Sequence, residues 1–125
     1  ISDTELSLAL QACDILLLPM ADIPANHGRF PLKFSEYISA GRPVLATRIG
    51  DVPDFIEEHQ CGYVSAPNPT EFARTLCDAL SNPEEREKRG QNALALSQSE
   101  TFSWHNRAKQ LDTFYQTLLK NSKKR

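Results

Sequence analysis

The sequence predicts an α/β fold in which helices cover an open parallel sheet. Short apolar runs that suit buried strands alternate with stretches whose apolar residues recur at helical spacing. The 125 residues, 40% of them hydrophobic, suffice for one domain with its own core. No internal repeat, low-complexity tract or Gly/Ser linker divides the chain. We therefore expect a Rossmann-like open sheet with flanking helices and a long C-terminal helix.

The first predicted elements are a helix and a strand. Asp3 or Thr4 can cap the helix, whose apolar side chains we expect to be buried. Ile15 to Leu18 then form a nearly continuous apolar run, which is typical of a strand inside a parallel sheet. The helix residues expected in the core are Leu6, Ala9, Leu10 and Cys13.

A strand, helix, strand unit follows in the middle of the chain. Pro31 predicts the first turn of a helix that stops at Gly41, and residues 42–47 resume the sheet. The turn 50–54 leads into a brief helix, and Tyr63 to Ser65 give a third strand. The apolar face of the helix that starts at Pro31 comprises Phe34, Tyr37 and Ile38.

Three helices are predicted for the last part of the chain. Asn68 and Asn82 each precede a proline and begin a helix, and Ser103 caps a final helix. The final helix carries an apolar stripe about four turns long, which we expect to pack on something. The predicted apolar faces are Phe72, Leu76 and Leu80; Ala93, Leu94 and Leu96; and Trp104, Ala108, Leu111, Tyr115 and Leu118.

Composition excludes several classes of function. A net charge of −2 disfavours nucleic-acid binding, and the basic run from Lys120 to Arg125 is interpreted as a solvated end. Cys13, Cys61 and Cys77 lack metal-ligand spacing and are expected to be buried free thiols, so we predict no metal site and no disulfide. Without a membrane-length apolar stretch or a signal peptide, the sequence predicts a cytoplasmic protein.

The number of strands is low for this fold class. Only about three are predicted, whereas an open doubly wound sheet usually has about five or six. The chain also begins at Ile1 and runs directly into a helix. We therefore expect residues 1–125 to be part of a larger enzyme.

The most informative segment joins a polar loop to the helix at Pro31. The first amides of that helix, those of Leu32, Lys33 and Phe34, are predicted to face the loop, with Arg29 and Lys33 adding positive charge. Glu36 follows about one turn later, where its carboxylate can accept both hydroxyls of a ribose. An anion site beside a diol site indicates a nucleotide, although a solvated helix face with an i,i+3 ion pair is the plainer alternative.

Four further segments of the chain are informative together: Cys13–Pro19, Glu36–Val44, Gly50–Ile56 and Gly62–Pro69. Each segment is weakly specific by itself, whereas the four in order are strongly specific. Their order and spacing resemble the C-terminal half of the nucleotide-binding domain of GT-B fold, retaining glycosyltransferases of family four, the "glycosyl transferases group 1" type. The resemblance extends from Asp3 to about Leu119.

The resemblance implies roles for individual residues. Glu36 matches the glutamate that accepts hydrogen bonds from the donor ribose, and the amides of Leu32 and Lys33 match those that meet the diphosphate. Gly28 stands eight residues before Glu36, where the family usually has a second carboxylate that touches the donor sugar. Asn26, Arg29 and Lys33 are the candidates that replace its contacts to sugar or phosphate.

The resemblance also implies a reaction. A sugar would move with retention from a nucleotide diphosphate donor to a glycan, lipid or small-molecule acceptor, while Lys33 or Arg29 stabilises the departing diphosphate without a metal. Residues 1–125 would be part of the C-terminal, donor-binding domain and inactive alone. The acceptor site, and any membrane association, would come from a missing N-terminal domain.

Two other classes share the predicted pattern. A GT-B sugar-nucleotide epimerase would have the same fold and nucleotide site and differ in catalytic residues outside this segment. A non-enzymatic α/β binding module of the receiver type should place acidic residues at several strand ends, whereas here Asp14 begins its strand. Sequence upstream of Ile1 would discriminate among these classes.

Overall fold

A computed structural model describes residues 2–122. Its elements alternate as the sequence predicted, with a short 3-10 helix, Glu100–Phe102, before the last helix. The strands are β1 (Leu16–Leu18), β2 (Val44–Thr47) and β3 (Gly62–Ser65). The helices are α1 (Asp3–Gln11), α2 (Pro24–His27), α3 (Leu32–Ser39), α4 (Val52–His59), α5 (Pro69–Ser81), α6 (Pro83–Ser97) and α7 (Trp104–Ser122).

The three strands form one parallel sheet in the order β1-β2-β3. Leu16 pairs with Val44, and Leu45 pairs with Tyr63. All four residues of the central strand β2 are buried, as expected for a strand with neighbours on both sides and helices on both faces. The predicted fold class, an open parallel α/β sheet with flanking helices and a long C-terminal helix, is confirmed.

The hydrophobic core lies where α3, α4 and α6 meet the sheet. Phe34 and Ile38 of α3 are almost fully buried, as the helical spacing predicted. Their neighbours in the core come from the strands, from α4 and from α6, and are Leu18, Val44, Ala46, Val52, Ile56, Cys61, Ala93 and Leu96.

Two glycines allow backbone segments to approach closely in this core. A Cβ at Gly62 would lie 2.0 Å from the carbonyl oxygen of Val44 on the neighbouring strand. A Cβ at Gly90 would lie 2.6 Å from the carbonyl oxygen of Gly41, at the end of α3. Both spacings are far below van der Waals contact, so these positions exclude any side chain.

Polar side chains cap the helices largely as predicted. Asn68 and Asn82 accept hydrogen bonds from Glu71 and Glu85, three residues later, at 2.9 and 3.1 Å. The cap of α1 was predicted one or two residues too late. Ser2 occupies that position and forms a capping box with Glu5, which also lowers the pKa of the Glu5 carboxyl through its hydrogen bonds to the Ser2 backbone and side chain.

The prediction that α1 buries an apolar face was wrong. None of its residues is buried, and Leu6 and Cys13 are exposed. Cys77 is likewise exposed, which leaves Cys61 as the one buried thiol. The cause is position: α1 precedes the edge strand β1, and α5 follows the opposite edge strand β3, so neither helix is enclosed.

The apolar faces of α5, α6 and α7 are less buried than predicted. In α5, Leu80 is exposed and the fully buried residue is Ala79. In α6, Leu94 is exposed while Ala93 and Leu96 are buried. The stripe of α7 packs on nothing within the described residues. Its large apolar members, Trp104, Leu111, Tyr115 and Leu118, are all exposed, and so are Phe114 and Leu119 elsewhere on the helix.

Two sequence features concern the ends and the exterior of the chain. The basic run beginning at Lys120 lies in part outside the described residues, so its interpretation stays a prediction. Among the helices of residues 2–122, none combines the length and apolar character needed to cross a bilayer.

Candidate functional site

The candidate site lies beyond the carboxyl ends of β1 and β2. The chain leaves both strands at the same edge of the sheet because the strands are parallel. Thr47, the last residue of β2, joins the two ends: its hydroxyl accepts a hydrogen bond from the Met20 amide at 2.8 Å and donates to the Met20 carbonyl at 2.9 Å. This buried side chain fixes where the loop after β1 begins.

Gly50 brings the turn after β2 against that loop. Its φ is +68°, a left-handed conformation that favours glycine. A Cβ at this position would lie 3.0 Å from the carbonyl oxygen of Asn26 and 3.5 Å from that of Arg29. The predicted site segment therefore packs backbone to backbone on the β2–α4 turn, and a side chain at position 50 would displace it.

The loop contains a short helix, α2, that the sequence did not predict. Asn26 in this helix is buried, and its side-chain Nδ2 donates to the Ala21 carbonyl at 2.8 Å. His27 Nε2 lies 2.6 Å from Asp22 Oδ1, in an exposed pair. These two contacts close residues 21–27 into a compact turn.

The start of α3 matches the helix entrance predicted for an anion site, with one change. Pro31 is the N-cap in extended conformation, and the helix itself begins at Leu32. The Phe34 amide donates to the Pro31 carbonyl at 3.0 Å, so the prediction that it would be free was wrong. Within the described residues, the amides of Leu32 and Lys33 donate to no protein acceptor, which leaves two donors at a helix N-terminus.

Three predicted charged side chains surround this helix end. Arg29, Lys33 and Glu36 are all exposed, and none forms an ion pair within the part of the chain that the structure describes. The i,i+3 pair of Lys33 with Glu36, the plainer alternative, is thus not formed. Each of the three side chains is available to a ligand.

Gly28 separates the loop from these charges. A Cβ at Gly28 would have no atom within 4 Å, and its φ of −96° is open to any residue. The glycine is therefore not required for packing. It leaves open space at the position where the resemblance places a carboxylate.

Aromatic contacts hold the segment between Gly28 and α3. The Phe30 ring meets those of Phe34 and Phe55 edge to face, with centroids 5.7 and 5.5 Å apart, and Phe102 joins the same cluster. This cluster anchors Phe30, the residue after Arg29, to the core. A cavity of about 680 Å³ opens beside it, with Leu32, Trp104 and Arg107 among its lining residues.

The sequence prediction missed the residues that support this site. The sequence predicts Thr47 only as the end of a strand, Gly50 only as a turn residue, and Phe30 only as part of a polar loop. Each acts through contacts with a distant part of the chain, which local patterns do not reveal. For Gly50 the turn signal was present, but not its partner in the loop.

Metal-ligand chemistry has no candidate in this region. Over residues 2–122, no three His, Cys, Asp or Glu side chains cluster closely enough to hold a metal ion. The positive charge at the site comes from Arg29 and Lys33. The expectation that no metal takes part stays a prediction.

Comparison with solved structures shows the same fold. The chain is similar to sucrose-phosphate synthase from Thermosynechococcus elongatus with a TM-score of 0.78 and 22% identity, over 97% of this chain and 29% of that one. It is also similar to HepE of Anabaena, solved in complex with UDP, with a TM-score of 0.74 and 19% identity, over 87% of this chain and 29% of that one.

Sequence comparison supplies the family. D-inositol 3-phosphate glycosyltransferase of Corynebacterium glutamicum (strain R) is 30% identical over 119 residues, which are 94% of this chain and 27% of that protein. The chain spans about a quarter of the length of the curated relatives it matches. The model of the family described as "Glycosyl transferases group 1" matches residues 1–96. Since this match covers well over half of the residues, the chain belongs to the glycosyl transferases group 1 family.

Proposed function

We propose that this chain is part of the donor-binding domain of a glycosyltransferase and binds a nucleotide diphosphate sugar where the loop after β1 meets α3. The enzyme transfers the sugar with retention to a glycan, lipid or small-molecule acceptor. The acceptor site lies in other parts of a longer protein. Any attachment to a membrane would also come from those parts. The three unpaired cysteines favour a reducing compartment, so we place the reaction in the cytoplasm.

One observation carries the proposal. The two unbonded amides of Leu32 and Lys33 lie at the N-terminus of α3, beyond the carboxyl ends of parallel strands. A helix N-terminus with free donors attracts a phosphate, because the donors and the helix dipole both favour negative charge. A relative in fold, HepE, was solved in complex with UDP, which is consistent with a diphosphate at such a site.

The charged side chains complete the proposed roles. Lys33 and Arg29 stabilise the diphosphate as its negative charge grows during departure, which lowers the barrier of the transfer step. Glu36 accepts hydrogen bonds from the two ribose hydroxyls. The reaction then needs positioning and positive charge rather than a metal, so chelation with EDTA should leave the affinity of this chain for the nucleoside diphosphate unchanged.

Isothermal titration with UDP, GDP and ADP tests the proposal. We expect one of the three to bind best. We further expect Glu36→Ala to weaken that binding by about tenfold to a hundredfold, since a hydrogen bond to a charged group contributes about 1.5 to 3 kcal/mol. Glu58→Ala, which removes an exposed glutamate from the neighbouring helix α4, is the matched control and should change affinity less than twofold.

Two results would count against the proposal. If no nucleoside diphosphate binds to the folded protein, the donor site is not here. If Glu36→Ala weakens binding no more than Glu58→Ala does, Glu36 makes no specific contact with the nucleotide and the ribose assignment fails.

A further inference from the structure

Asn26 is the predicted site residue least available to a ligand. Only 9% of its surface is exposed, whereas Arg29, Lys33 and Glu36 are all exposed. Its Nδ2 already donates to the Ala21 carbonyl at 2.8 Å. One N–H of its carboxamide is thus already used within the loop, on a side chain that is almost fully buried.

We propose that Asn26 is a positioning residue, which holds the loop after β1 closed and so presents Arg29 at the entrance of α3, rather than a residue that contacts the donor. This inference rests on the proposed function, because it assigns a task to Arg29 in donor binding. It replaces the role that the sequence alone suggested for Asn26.

The hydrogen bonds of the loop support this assignment. Asn26 closes the six-residue turn 21–26 through Ala21, and its own amide donates to the Ile23 carbonyl at 2.9 Å. The pair of Asp22 with His27 ties the same turn from its exposed side at 2.6 Å. Exposed pairs contribute little, so the partly buried bond of Asn26 is the stronger tie.

The contact of the loop backbone with Gly50 shows which stretch of chain the closed loop holds in place. The carbonyl oxygen of Asn26 is the nearest atom to a Cβ built on Gly50, at 3.0 Å, and the Arg29 carbonyl follows at 3.5 Å. Residues 26–29 thus lie as one stretch of backbone on the turn after β2. Opening the loop at Asn26 would release this stretch, and Arg29 with it.

The test combines loop order with nucleotide affinity. Asn26→Leu keeps the approximate size of the side chain and its neutral charge but removes the donor. Asn92→Leu is the matched control, because Asn92 Nδ2 donates to the Gln60 carbonyl at 3.1 Å far from the loop. Heteronuclear NOE values of residues 23–29 report loop order in the free protein, and titration with the preferred nucleoside diphosphate reports affinity.

We expect Asn26→Leu to lower the NOE values of residues 23–29 and to weaken binding by about fivefold to tenfold, the equivalent of one lost hydrogen bond. Asn92→Leu should change neither. In an Arg29→Ala background, Asn26→Leu should have little further effect on affinity, because both changes remove the same contact.

Other results would distinguish a failure of this inference from a failure of the proposed function. Unchanged loop order in Asn26→Leu would overturn the inference, and fully additive effects of Asn26→Leu and Arg29→Ala would show that Asn26 contacts the donor itself. If Asn26→Leu does not fold, Asn26→Ala removes the same donor without adding apolar bulk and should lower the same NOE values. Absence of nucleotide binding in the wild type would overturn the proposed function, while the NOE values would still decide whether Asn26 holds the loop.

Discussion

At the scale of single residues, the site depends on side chains that bond across the fold. Thr47 is the clearest example, because one hydroxyl both accepts from and donates to the Met20 backbone and so joins the ends of two strands. Both bonds are buried, so their loss would leave two main-chain groups without partners. Unpaired buried groups cost about 1 to 3 kcal/mol.

We therefore expect Thr47→Val to lower the free energy of unfolding by about 1 to 3 kcal/mol in urea denaturation. Thr75→Val is the control, since the Thr75 hydroxyl bonds only to the Glu71 carbonyl of its own helix. A loss for Thr47→Val no larger than that for Thr75→Val would show that the bridge between the strands adds no stability.

Cys61 gives a second prediction at this scale. Burial raises the pKa of its thiol to about 11, against 9.0 for an ordinary thiol. Below pH 9.0 both the folded and the unfolded state hold the proton, and between 9.0 and about 11 the unfolded state loses it first. Stability should therefore fall by about 2 kcal/mol across this range as pH rises.

The check is the free energy of unfolding at several pH values. Cys61→Ala should be less stable at neutral pH, because it leaves a cavity, but its stability should fall less steeply above pH 9.0. Cys77→Ala, at an exposed thiol, should follow the wild-type curve. Equal slopes for Cys61→Ala and wild type would contradict the account.

At the scale of elements, close backbone contacts decide which glycines matter. Gly62 faces the Val44 carbonyl across the β2–β3 ladder, whereas Gly28 faces open space. We expect Gly62→Ala to destabilise the protein by about 3 kcal/mol or more, since the clash is with backbone that cannot move without breaking strand pairing. Gly28→Ala should change stability by less than about 0.5 kcal/mol.

Thermal or urea unfolding of the two alanine variants measures this difference. The substitutions are chemically identical, so each serves as the control of the other. Similar losses for both would mean that β3 does not pack against β2 as closely as described.

The sequence predicted the helices and strands better than it predicted which of them are buried. Strands and helices were predictable because hydrophobic periodicity and helix capping depend on residues that are close in sequence. The apolar run before Pro19, the Asn-Pro starts of α5 and α6, and Gly41 after α3 each predicted the right element. Burial was less predictable for α1 and α5. Their apolar residues have helical spacing, but spacing does not say whether a helix lies at the edge of the sheet.

The candidate site was predictable to the same extent. The helix entrance at Leu32 and Lys33 follows from Pro31 and the charges around it. The supporting contacts of Thr47, Gly50 and Asn26 were not predictable, because each joins segments that are separated along the chain or depends on the shape of the loop. The bond from Phe34 to Pro31 was also missed, since it depends on the extended conformation of the proline.

At the scale of the whole molecule, α7 stands apart from the rest. Its 19 residues expose an apolar face that includes Trp104, Phe114 and Leu118, and it contacts mainly the 3-10 helix before it. A helix of this length without packing is only marginally stable in water. The sheet and its covering helices make few contacts with α7.

We therefore expect a chain ending at Ser103 to keep a melting temperature within a few degrees of the full chain. It should bind less of the dye ANS, because the exposed apolar face is gone. Leu111→Ser with Leu118→Ser in the full chain is the control that lowers dye binding without shortening the protein. Loss of cooperative melting on truncation would show that α7 belongs to the folding unit.

The proposed diphosphate site at the start of α3 can be tested by following the chemical shifts of the backbone amides during titration with the preferred nucleoside diphosphate. The account predicts saturable shifts at Arg29 and at Leu32 to Glu36, weakened in Lys33→Ala and retained in Lys88→Ala, which removes an exposed charge from α6. Saturable shifts confined to other parts of the chain, or shifts at α3 that Lys33→Ala leaves unchanged, would contradict a diphosphate site at the start of this helix.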